Sequence, residues 1–170
     1  MSLQSIRRAI VASGLVIGAV AALSPAAFAG TTAGTVNVSG TVTSTLDMAA
    51  NATAGAASLP LDSATEQIVK IADLAINTNN NTGYTLTVDS GNLTKAGGAN
   101  IPFQVAVTDD NTAAATGDFT VASGTGYTNA TNAANAAGSN GKDLSIKFTP
   151  GGLQDPGAYS ATVNLTVADN

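Results

Sequence analysis

Apolar side chains recur at every second position along much of this 170-residue chain, with Thr, Ser and Asn between them. Val36, Val38, Gly40 and Val42 share one parity, with Thr35, Asn37, Ser39 and Thr41 on the other, and Ser44, Leu46 and Met48 extend the first set. Such a period-two pattern predicts a half-buried strand with one notch in its ridge. A small-residue stretch follows to Ser58, then Leu59-Pro60-Leu61. Between Gln67 and Asn77 the apolar parity switches near Ala72-Asp73, which predicts a β-bulge or two short strands. Asn79-Asn80-Asn81-Thr82-Gly83 reads as a turn, because Asn and Gly tolerate positive φ. Tyr84, Leu86 and Val88 then alternate to a second turn at Asp89–Asn92, so this region is a hairpin or a short inter-sheet connection. Ile101, Phe103, Val105 and Val107 form the next strand, with Pro102 on its outward parity, where a missing N–H is tolerated. Phe119 and Val121 mark a weaker strand. Residues 122–142 read as a long exposed loop, with at most a short strand at its Tyr127 end. Leu144, Ile146 and Phe148 alternate next, Thr149–Gly152 is a turn, and Tyr159, Ala161, Val163, Leu165 and Val167 make a final strand opening at Gly157. No segment after residue 29 sustains a 3.6-residue period. Six or seven strands with frequent turns in one domain predict an all-β fold, an Ig-like β-sandwich, with a barrel as the alternative.

The first 29 residues have another grammar. Arg7 and Arg8 precede an uncharged, mostly aliphatic run, Ala9–Leu23, and Ala27-Phe28-Ala29 offers small residues at the positions a signal peptidase reads. A charged start, a short apolar middle and an A-x-A end predict a secretory signal cleaved after Ala29. At about 15 residues the run is short of the roughly 20 a membrane-spanning helix needs. The domain plan is a signal at 1–29, an N-terminal extension at 30–48 and a body at 49–170.

Charge and composition narrow the function. Beyond the signal, Lys70, Lys95, Lys142 and Lys147 face 11 acidic residues, a balance of −7. An acidic, arginine-free surface makes nucleic acid an unsuitable partner, since phosphate backbones need clustered Lys and Arg. The chain holds no His and no Cys, which removes the usual transition-metal ligands, the commonest general base and the thiol nucleophile. Asp109-Asp110-Asn111 with Asp118 is the densest acidic cluster, yet it lacks the ligand spacing of a Ca²⁺ loop and reads as a solvated turn. With no recognisable nucleophile elbow, P-loop or paired-carboxylate signature, neither enzymatic activity, a cofactor nor a metal is expected. Most aromatic residues fall on apolar strand parities and belong to the core. Tyr127, in the expected loop, is the candidate exposed contact.

Two segments together carry a resemblance: Thr35–Val42 leading to Leu46-Asp47-Met48, and Gly157-Ala158-Tyr159-Ser160 running through Val167. With the export signal and the sandwich-like body, they make the chain similar to the major fimbrial (pilus) subunits of the chaperone–usher type, in their cysteine-free branch. The resemblance implies an incomplete Ig sandwich whose open groove is filled first by a periplasmic chaperone and then by the N-terminal segment of the next subunit. Position by position, Val36, Val38 and Val42 would be the inserted side chains of the donor strand and Gly40 its small residue. It also implies an outer-membrane usher, passage through the periplasm, a homopolymer at the cell surface, and a role in adhesion or biofilm formation, with a host or surface receptor. The residues leave three alternatives open: Val36–Val42 as the first strand of its own domain, an exported adhesin or binding module using residues 122–142 and Tyr127, and a monomeric coat or matrix protein.

Overall fold

A computed structural model describes residues 34–130 and 135–170. The expected export signal lies outside them, as do residues 30–33 of the extension and 131–134 of the expected loop. The chain divides at Gly40 into two units. Within the first, residues 34–40 carry no regular secondary structure.

The second unit is mostly antiparallel strand with almost no helix. Its strands are β1 (Leu46–Ala52), β2 (Gln67–Thr78), β3 (Tyr84–Asp89), β4 (Gly91–Leu93), β5 (Ile101–Asp109), β6 (Gly126–Ala130), β7 (Asn135–Phe148) and β8 (Leu165–Asp169). One helical turn, α1 (Ala54–Ala57), and one 3-10 turn, Thr116–Asp118, interrupt them. The strands make a five-stranded sheet in the order β1-β2-β7-β5-β4 and a three-stranded sheet in the order β6-β3-β8. Both sheets contribute to one hydrophobic cluster: Ile71, Leu74 and Ile76 of β2, Phe103 and Val105 of β5, and Leu144, Ile146 and Phe148 of β7 join Tyr84, Leu86 and Val88 of β3. Each such apolar side chain contributes about 1.5–3 kcal/mol by leaving water, and the alternating pattern delivers them to one face of each strand.

The parity switch in β2 is a register shift inside one strand. Lys70 pairs with Ser145 and Ala72 with Leu144, so Ile71 is the extra residue. Val69 and Ile71 before the shift, and Leu74 and Ile76 after it, therefore all reach the core. The polar turn after β2 joins the two sheets and makes no hairpin, since β2 and β3 lie in different sheets. Asn80 builds that turn by accepting from the Thr82 backbone N–H at 3.0 Å, and Gly83 takes φ 83°, which favours glycine.

Elsewhere the structure redraws the expected elements. Val36–Val42 forms no strand, and the first ladder begins at Leu46, opposite Thr78. Phe119 is buried but lies outside any strand, and the Gln104 side chain bonds the carbonyl of Val121 at 2.5 Å where a ladder would have done so. Within residues 122–142 the short strand allowed at the Tyr127 end is β6, while the first half of β7 stands where only loop was expected. Its Gly, Asn and Ser residues give no apolar period, and pairing with β2, Ala75 opposite Gly141 and Ile76 opposite Asn140, holds it in the sheet. Tyr127 is corrected accordingly: it sits in β6 opposite Val88, half-buried against the core, and not in an exposed loop.

Candidate functional site

The last strand is shorter than its sequence pattern. Alternation runs from Tyr159 to Val167, but regular pairing covers Leu165–Asp169 only. The cause is its partner. β3 ends at Asp89, whose N–H donates to the Asn164 carbonyl at 3.0 Å, and the chain then turns into β4. Upstream of Asn164, the backbone has a bridge between Ser160 and Thr94.

β8 is also the edge of the three-stranded sheet. The Asp89–Asn164 bond and the Asn170 N–H to Gly83 carbonyl bond, at 3.1 Å, fix its orientation. Even-numbered residues turn their backbone groups toward β3, so Val163, Leu165 and Val167 turn theirs toward the open edge. The side chains of these three residues lean on the core while remaining only half-buried. An edge of this kind presents unpaired N–H and C=O groups beside incompletely covered apolar surface.

An apolar cleft of about 200 Å³ opens beside this segment. Ile71, Phe103 and Ile146 from the larger sheet form one wall, and Tyr159, Ala161 and Val163 form the other. Its sides are thus the inner face of the larger sheet and the segment leading into β8, where the final strand has lost its ladder.

Of the four residues expected to insert into a neighbour, Val36, Val38 and Val42 are 84, 90 and 87% exposed. Around Gly40, nothing lies within 4 Å of where a Cβ would stand. Three large aliphatic side chains on one parity are thus left in water, in a segment that pairs with nothing described.

A polar clasp holds the residues just after Val42. Asn79 Nδ2 donates to the Thr43 carbonyl at 2.8 Å, and the Thr45 N–H donates to Asn79 Oδ1 at 2.9 Å. Ser44 Oγ and Thr78 Oγ1 both donate to the carboxylate of Asp169, the latter at 2.7 Å. These two bonds, Ser44 first, hold the Asp169 carboxyl below the usual carboxylate range.

The acidic turn is arranged otherwise than a metal loop. Asp109, at the end of β5, pairs with Lys142 at 2.6 Å, which draws its carboxyl below the ordinary range. Asn111 takes φ 59° in the turn that follows. Asp73, Asp110 and Asp143 bring carboxylate oxygens within 4.8 Å of one another, a grouping that no sequence spacing announced. The Lys70 ammonium, however, lies 2.8 Å from buried Asp143 and 2.6 Å from Asp73. These partners, Asp143 foremost, hold Lys70 far above its ordinary pKa. A lysine therefore already serves as the cation of this cluster. No family model, curated protein or solved structure matches the chain.

Proposed function

We propose that this chain is a structural subunit of an extracellular fimbria, polymerising by insertion of residues 36–42 of one copy into the sheet edge of the next. The observation that carries the reading is the pairing of a surplus with a deficit: three exposed valines at period two, and a β8 edge with an apolar cleft beside it. Strand addition supplies both kinds of contact at once, backbone hydrogen bonds along the edge and alternate side chains in the gap. Val36, Val38 and Val42 would be the inserted residues, and Gly40 would pass where the gap is narrowest. The two sheets and their shared core support an Ig-like sandwich lacking one strand at β8.

On this reading the chain is exported by its N-terminal signal and crosses the periplasm. A chaperone protects the open edge there, and an outer-membrane usher passes the subunit to the surface. The assembled fibre serves adhesion or biofilm formation. An isolated copy with an open edge would be prone to wrong pairing, which is the physical need such a chaperone meets.

The test is electron microscopy of the exported protein with and without Val38→Asp. The unaltered chain is expected to form fibres. The variant is expected to form none, because an unpaired carboxylate in an apolar gap costs several kcal/mol. Fibres of normal length from the variant, or a permanently monomeric parent protein, would sink the proposal.

A further inference from the structure

We propose that Ser44, Asn79 and Asp169 form an end stop that sets the register in which an incoming strand lies along β8. The inference rests on the strand-insertion reading above and adds what fixes its alignment. A donor whose apolar residues repeat every two positions can slip by two residues and still keep its small and apolar residues on the inner face, although Gly40 then leaves its place. A slip by one residue is punished at once, because it turns every side chain to the wrong face, but a slip by two meets no such penalty. Period alone therefore leaves the alignment degenerate, Gly40 is the one feature of the donor that tells the alignments apart, and a second determinant on the acceptor sharpens the register.

The structure provides one at one end of the gap. Asp169, the last residue of β8, shares the parity of Leu165 and Val167 and so turns toward the five-stranded sheet. There it accepts the hydroxyls of Thr78, on β2, and of Ser44. Ser44 is held from behind by Asn79, whose side chain grips the backbone on both sides of it, at the Thr43 carbonyl and the Thr45 N–H. A third bond, from the Asn79 N–H to the Thr45 carbonyl at 3.2 Å, completes the grip. The gap between the sheets is thus closed at Asp169 by the chain's own backbone, while the far end, at Tyr159 and Val163, opens into the cleft. A strand laid against β8 runs up to Val167 and no further.

The chain has no cysteine, so disulfide trapping reads the alignment without background. The acceptor is the full chain carrying Val38→Asp, to silence its own segment, and Asn164→Cys, an exposed outward position of the final segment. Three peptides of residues 34–44, bearing Asn37→Cys, Ser39→Cys or Thr41→Cys, sample alignments two residues apart. With the stop intact, one peptide is expected to cross-link about tenfold more than the others, since a two-residue shift is the only one that keeps the apolar face inward. With Ser44→Ala and Asp169→Ala together, the three yields are expected to converge. Asp169→Asn keeps an oxygen acceptor and should restore the single alignment, and Ser44→Ala alone serves if the double variant fails to fold. A single alignment in both parent and variant, or spread yields in both, overturns the end stop and leaves strand insertion standing. No cross-link with any peptide overturns strand insertion and the stop with it.

Discussion

Tyr84 is fully buried in β3, and its hydroxyl has no hydrogen-bond partner among the described residues. Burial pushes its phenol pKa up, the direction expected when the charged form would be stranded in apolar surroundings. An unmet buried polar group costs about 1–3 kcal/mol. Tyr84→Phe is therefore expected to leave the protein as stable or up to about 1 kcal/mol more stable, read as a higher thermal midpoint. Ile76, fully buried in β2, behaves in the opposite way: Ile76→Ala should cost about 2–5 kcal/mol through lost burial and the cavity left behind. Both residues were legible as core from their parity. The partner of a polar atom was not, because parity says which way a side chain points and nothing about what it meets. Tyr127 illustrates the same limit, since a short strand was legible at its position but its half-buried packing opposite Val88 of β3 was not.

At the scale of elements, long apolar alternations translated directly into β2, β3, β5 and the second half of β7. Weakly patterned segments did not. β6 and the start of β7 exist because they lie along strands that need partners, and a ladder can hold Gly, Asn and Ser in place without apolar help. β8 erred the other way, with alternation reaching back to Tyr159 while its partner β3 stops at Asp89. Alternation announces that one face is to be covered, but the length of a strand depends on what lies beside it. Val163 is half-buried on that unpaired stretch. Val163→Asp is expected to abolish fibre growth while lowering folding stability by less than about 1.5 kcal/mol, in line with a side chain that is not fully packed. Loss of fibres only through unfolding, seen by circular dichroism, would remove Val163 from the joining surface.

Over the whole molecule, the absence of histidine leaves no side chain with an ordinary pKa between pH 5 and 8. Asp109 and Asp169 are both held below the ordinary carboxylate value by hydrogen-bonded partners. A depressed folded-state pKa adds stability that is present above the unfolded value, near 3.9, and is lost as pH falls through the folded one. The midpoint of denaturant unfolding is therefore expected to stay flat from about pH 5 to 8 and to fall below about pH 4. A maximum near neutrality with loss by pH 6 would contradict this assignment. What the sequence determined by itself was the all-β class, most of the core and the acidic, cysteine-free character, because period two, burial parity and composition are local or additive properties. Tertiary structure alone decided that Val36–Val42 forms no strand among the described residues, that β8 is a sheet edge beside a cleft, and that the carboxylates of Asp73, Asp110 and Asp143 come together, with Asp73 and Asp143 paired to Lys70. Each of those depends on which strands become neighbours, and neighbours distant in sequence leave no period for a single strand to carry.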